Sequence, residues 1–228
     1  MWEYSSEHFY TNILAAMLAL IIIVIGIIHF KTLIKFQLLI YYSIISFVQG
    51  LIALTVIHFD YNGERTGAII EHSLNIFLVF EFVIFYALLL QIIRMEIMRR
   101  IMKILLFSFL LFIGFVWLTS KAFYRNPDQL TILESFLILI PILFYFYELF
   151  FYPPEKNLAR DPTFWVITGM FLLFSTIIPL FVFKEKIHQH FYQSYKMVYT
   201  INFVSYCLFF SCLLKALICQ IRNLKYSI

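Results

Sequence analysis

Apolar residues in this chain run in long unbroken blocks instead of alternating with polar ones. The block Leu18-Ala-Leu-Ile-Ile-Ile-Val-Ile25 is representative. Seven blocks, at about 11–30, 36–59, 69–93, 102–119, 130–152, 163–183 and 197–219, are each long enough to cross a bilayer. A spanning helix needs about 20 mostly apolar residues, because each residue rises about 1.5 Å. An open sheet leaves unpaired backbone groups in lipid, and the strands of a barrel alternate with period two. The pattern predicts an all-α polytopic membrane protein, a seven-transmembrane-helix bundle in which residues 1–228 form a single domain.

Composition points the same way. Hydrophobic residues make up 63% of the chain and charged residues 13%, and the mean hydropathy is +0.90. A soluble domain is about 45–50% apolar. Breakers mark turns at Asp60-Tyr-Asn-Gly63, Asn126-Pro-Asp128 and Pro153-Pro154. These short connections leave no room for a soluble catalytic domain, so a signal would have to leave through another polypeptide. The first ten residues carry Glu3 and Glu7 and no lysine or arginine, unlike the basic start of a cleavable signal peptide.

Orientation follows from lysine and arginine in the loops. With the N-terminus outside, eleven fall on inner segments and six on outer ones, and the cluster Arg94, Arg99, Arg100 and Lys103 supplies much of the bias. The expectation is N-terminus outside and C-terminus inside. The net charge of +4 sits at helix ends, where it meets anionic lipid headgroups and not nucleic acid. Cys207, Cys212 and Cys219 all lie in the last span, which fits buried thiols and not a structural disulfide.

Polar groups kept inside the spans are the candidate chemistry, since each ionisable one costs about 2.5–3.5 kcal/mol at the bilayer centre on insertion scales. Glu81 lies in the middle of the third span between Phe80 and Phe82. A carboxyl there must be protonated, paired or next to water, either as a ligand or proton site or as a hydrogen bond between helices. Glu71 and Asn75 share a face of that span, with His72 beside them, and Glu81 lies about 80° away. Headgroup-level placement is the simpler reading of Glu71 and His72.

In the fifth span Glu134, Pro141 and Glu148 recur every seven residues, so they form one stripe that drifts by only about 20° per step. Pro141 frees a backbone carbonyl at mid-depth. The stripe either lines a cavity or simply carries two carboxylates to the span ends. Thr168, Gly169, Ser175, Thr176 and Pro179 mark the sixth span, and Asn202, Ser205, Ser211 and Lys215 the seventh. Asn75, Glu134 and Asn202 have matched depths, which predicts a shared polar pocket. The candidate ligand-binding residues are thus Glu81, Asn75, Glu134, Glu148, Asn202 and Glu71.

Lys215 sits near a span end and can snorkel; it is too shallow for a retinal Schiff base. His29 and His58 lie at opposite faces, and His188-Gln-His190 lacks a third ligand, so no metal or cofactor is expected. Zinc-protease, nucleophile-elbow and histidine-box patterns are absent.

Leu74-Asn75-Ile-Phe77-Leu78-Val79 echoes Leu133-Glu134-Ser-Phe136-Leu137-Ile138 at a shift of 59, and Phe85-Tyr86 then falls on Phe144-Tyr145. A two-helix shift argues against the three-plus-one-plus-three layout of sugar carriers. Three further passages are Phe144-Tyr-Phe-Tyr-Glu148, Asp161-Pro162-Thr-Phe164-Trp165-Val-Ile-Thr168-Gly169 and Ile178-Pro179-Leu-Phe181. In them a carboxylate ends one span, a proline-aromatic entry opens the next, and that span closes on a proline. With the third span, this resembles the uncharacterised small seven-span membrane proteins common in Bacteroidetes, over roughly residues 36–220. The resemblance implies a bacterial inner-membrane protein and carries no activity.

Three functions fit. The first is a sensory, receptor-like or scaffold module that binds a small or lipidic ligand in the bundle. It would act through a partner signalling protein or a homo-oligomer among membrane lipids. The second is a proton-coupled small-solute transporter using Glu81, against which stands the lack of paired broken helices. The third is a membrane enzyme on a lipid or isoprenoid, in which carboxylates near aromatics would stabilise a carbocation. The absence of catalytic motifs favours the first.

Overall fold

The computed structural model describes residues 2–30, 33, 36–59, 64–119, 127–153, 157–190 and 192–225. The turn expected at 60–63, Asn126, Pro154, and the side chains of Glu71, His58, His188 and His190 lie outside the described residues. Among those described, seven α-helices follow in order: α1 Trp2–Ile28, α2 Gln37–Phe59, α3 Glu64–Ile92, α4 Glu96–Thr119, α5 Pro127–Phe151, α6 Pro162–His190 and α7 Tyr192–Lys225. Five of them, α3 to α7, are long and apolar enough to cross a membrane. In α1 and α2 the described apolar segments, Ala16–Ile28 and Gln37–Ile52, are shorter. This is the build of a helical membrane protein.

Most helices outlast the apolar blocks read from the sequence. In α7, 34 residues are helical, although the apolar stretch covers 24. The hydrocarbon layer limits the apolar length, not the hydrogen-bonded helix, which continues until a breaker or a cap ends it. Helix α6 begins where it can. Pro162 occupies the first position, where its missing N–H costs nothing, and the Asp161 carboxylate accepts the Thr163 N–H at 2.9 Å. A single 3-10 turn, Leu158–Arg160, precedes it, with the Asn157 side chain accepting from the Ala159 N–H.

Helix contacts run α1 on α2, α2 on α3, α3 on α5, α5 on α6, α6 on α7 and α7 back on α1. They close a ring of six. Helix α4 stands outside it, with slighter contacts to α3 and α5. Its buried residues, Met98, Met102, Phe109 and Ile113, lie on one stripe. The Phe109 ring sits 3.9 Å from that of Phe82 on α3. Ile97, Ile104, Phe107, Phe115 and Leu118 are exposed, a surface suited to lipid and hazardous in water.

Aromatic side chains fill the ring. Tyr42, Phe82, Phe85, Tyr86, Phe174, Phe209 and Phe210 are all fully enclosed. The α6–α7 contact is the most extensive, and Gly169 makes it close. A Cβ there would lie 2.8 Å from the Cβ of Cys212 and 3.3 Å from the carbonyl oxygen of Phe209. Small residues at such crossings let the backbones approach, which is where packing between helices in lipid comes from.

Pro141 is buried inside α5. It has no N–H, so the carbonyl four residues earlier, that of Leu137, loses its helical donor. The Tyr86 hydroxyl on α3 fills that vacancy, donating to the Leu137 oxygen at 3.0 Å. The freed carbonyl therefore ties α3 to α5. Tyr86→Phe should lower stability by about 0.5–2 kcal/mol, read by denaturant unfolding in micelles. In a Pro141→Ala background the restored N–H supplies the bond, and the loss should shrink. Equal losses in both backgrounds would mean that Tyr86 does not serve the proline-freed carbonyl.

Candidate functional site

Most hydroxyls in the spans have a partner in their own helix. Ser43, Thr55, Ser135, Thr176, Ser205 and Ser211 each donate to the carbonyl one turn earlier, at 2.7–2.9 Å. They satisfy themselves and leave the carboxyls as the groups whose chemistry is open.

Glu81 is buried at 3% exposure. The Tyr42 hydroxyl on α2 donates to its Oε1 at 3.0 Å. Phe77 and Phe85 lie one turn to either side of Glu81, and their rings stand 6.3 and 4.6 Å from that of Tyr42. Phe209 and Phe210 of α7 close the other side at 5.7 and 6.4 Å. The hydrogen bond is thus held in an aromatic box where no backbone donor competes for it.

Glu134 of α5 is buried at 1% exposure. Among the described residues neither of its carboxyl oxygens has a hydrogen-bond partner. It lies within electrostatic reach of Glu81 and of the half-buried Tyr206 on α7. Two carboxyls and two tyrosines from α2, α3, α5 and α7 therefore converge across the ring. An unpartnered buried polar atom forfeits about 1–3 kcal/mol, more if charged. Among the described residues Glu134 is the one carboxyl with both oxygens buried and unpartnered, a group that calls for an explanation.

The other candidates lie on α3, α5 and α7. Asn75 is buried on α3. The Asn202 Oδ1 is buried on α7, one turn from Tyr206, and has no hydrogen-bond partner among the described residues. No hydrogen bond joins either asparagine to Glu134 among the described residues. Glu71 lies outside the described side chains. Glu148 shares the buried stripe with Glu134 and Pro141, but its oxygens accept the N–H groups of Met95 at 3.0 Å and Arg94 at 3.4 Å. It caps the start of α4, where the first N–H groups have no helical acceptor.

Lys215 lies 5.9 Å over the Trp165 ring, and the Trp165 indole donates to the Ala159 carbonyl at 2.9 Å. This anchors the turn before α6 to α7. All three cysteines are free thiols. Among the described residues no group of histidine, cysteine and acidic side chains is arranged to hold a metal ion.

Tyr42 and Tyr206 escape a sequence reading. The chain has 15 tyrosines and 28 phenylalanines, so one more aromatic in a span carries no information until a carboxyl is found beside it. Comparison with known proteins finds no family model, no curated protein and no solved structure that matches this chain.

The two carboxyls should respond oppositely to replacement. Glu81→Gln keeps an acceptor for Tyr42 and should hold stability within about 1 kcal/mol, whereas Glu81→Ala leaves a cavity and an orphaned hydroxyl and should lose about 2–4 kcal/mol. Glu134→Met removes an unpartnered group and should gain about 1–3 kcal/mol. Unfolding in micelles measures all three. A Glu134→Met variant as destabilised as Glu81→Ala would mean that Glu134 has a protein partner.

Proposed function

We propose that this chain is a receptor-like module of the bacterial inner membrane, with seven spans, its N-terminus outside and its C-terminus inside. It holds a small ligand between Glu81 and Glu134 and passes a helix shift to a separate partner. The observation that carries this reading is Glu134, a buried carboxyl with no protein hydrogen-bond partner, facing a second carboxyl within electrostatic reach. Two acids in one dry interior call for something that brings positive charge or hydrogen-bond donors. The aromatic faces around Tyr42 suit a cation. The ligand class is a small amine or ammonium compound.

A ligand there would touch helices from across the ring at once. It would draw α3 and α5 together or apart, and Tyr86 with the Leu137 carbonyl couples those two helices directly. On this reading a bound cation would bias the relative position of those two helices.

A second reading, proton-coupled transport, draws on the same pair. A proton on Glu81 or Glu134 would have the Tyr42 hydroxyl as a neighbouring relay.

The test is thermal unfolding in nanodiscs with ethanolamine, putrescine and tetramethylammonium as probes. A site filled at about 100 times Kd adds about 2.7 kcal/mol to stability. At least one probe should raise the Tm of wild type, and Glu134→Gln should abolish the rise. No shift with any probe, or an equal shift in Glu134→Gln, would overturn the cation site. Proton uptake by proteoliposomes after a pH jump, lost in Glu134→Gln, would favour the transport reading. For orientation, a reporter fused at Ile228 should be active only if it works in the cytoplasm, and a periplasmic signal would reverse the assignment.

A further inference from the structure

A cavity of about 760 Å³ opens at the end of the bundle where α3 passes into α4. It is independent of the Glu81–Glu134 pair. Leu88, Ile92 and Leu149 give it apolar walls, and Gln91, Arg94 and Arg99 bring donors to it. Its size is in the range of small-molecule sites, about 300–1,000 Å³.

The charges lining it are two arginines and two acids, Glu148 and Asp161. They cancel formally but not chemically. Glu148 accepts two backbone N–H groups at the start of α4, and Asp161 accepts one at the start of α6. Each acid faces the positive end of a helix, which offsets its charge. The arginines stand at the negative end of α3, but no acid pairs with either of them among the described residues. Among the described residues the one ion pair joins Arg100 to Glu96, at 3.9 Å, and neither residue lines the cavity. Arg99 donates its Nε to the Ile93 carbonyl, which closes the end of α3. Its two terminal nitrogens, and the whole Arg94 guanidinium, make no hydrogen bond to a described residue. A guanidinium presents its donors as a planar fork that fits a phosphate.

We propose that this cavity binds the phosphate of an anionic phospholipid headgroup, with Arg94 and Arg99 as its donors and the apolar wall taking the start of an acyl chain. The site lies at the end of the spans, at the depth of headgroups. Basic pockets between spanning helices are where anionic headgroups dock. A bound lipid would also fix the α3–α4 connection, since Arg94 and Arg99 flank it, and through it the otherwise loosely packed α4.

The experiment is native mass spectrometry of the full chain released from nanodiscs of phosphatidylcholine alone, with phosphatidylglycerol added, or with inorganic phosphate added. Wild type should retain phosphatidylglycerol over phosphatidylcholine by about tenfold or more, and Arg94→Gln should lower that preference about threefold, the weakening of one charge-assisted contact. The Arg94 side chain is exposed and makes no hydrogen bond to a described residue, and its backbone N–H bond to Glu148 survives the substitution, so this variant isolates binding from folding. Arg94→Gln with Arg99→Gln should abolish the preference, and Glu134→Gln should leave it intact. Equal retention of the two lipids, or a preference unchanged in Arg94→Gln, would overturn the proposal. Capture of inorganic phosphate with no preference between the lipids would overturn the lipid and leave a free anion as the ligand.

Discussion

Inside a bilayer a polar group that lacks a protein partner has no water to turn to, and this constraint orders the rest of the molecule. It forces the backbone into helices. It folds most of the mid-span serine and threonine hydroxyls back onto their own helices, as at Ser43, Ser135 and Ser205. It also turns a defect into a joint. Pro141 strips the Leu137 carbonyl of its donor, and Tyr86 from the next helix supplies one. Where α4 must start without acceptors for its first N–H groups, Glu148 reaches over from α5. Both of these contacts between helices complete a valence that the local chain leaves open.

Among the carboxyls described, Glu134 is where the rule fails. Packing does not need it, because an apolar side chain of similar volume would fill the same space without a desolvation cost. Glu81, by contrast, is at least bonded to Tyr42. A chain that keeps an unpartnered acid beside a second acid gives up stability at that spot. Such a sacrifice is what the proposed exchange of a partner at this site would account for. Four helices of the six-helix ring contribute to the cluster, and α3 and α5 touch directly, so the proposed ligand would bear on several helices at once.

The helical class and the positions of the helices were legible because hydrophobic blocks longer than about 17 residues have few other uses. The burial of Glu81 was legible for a similar reason, as a carboxyl flanked by Phe80 and Phe82 has nowhere else to go. The stripe of Glu134, Pro141 and Glu148 could be read from its seven-residue spacing, and all three are buried. Their different fates could not. Whether a carboxyl meets a helix N-terminus, as Glu148 does, or another acid, as Glu134 does, depends on which helices are neighbours, and chain order hides that α3 adjoins α5 while α4 stands outside. Tyr42 and Tyr206 were invisible among so many aromatics. Arg94 and Arg99 carried an orientation signal that concealed their place in a cavity wall.

A high-resolution structure in lipid nanodiscs measures the central claim most directly, through the density next to the Glu134 carboxyl. The account predicts a non-protein species, a water or a small cation, within about 2.6–3.2 Å of one of its oxygens. A Glu134 side chain enclosed by apolar atoms with no such density, or turned outward to the lipid, would contradict it.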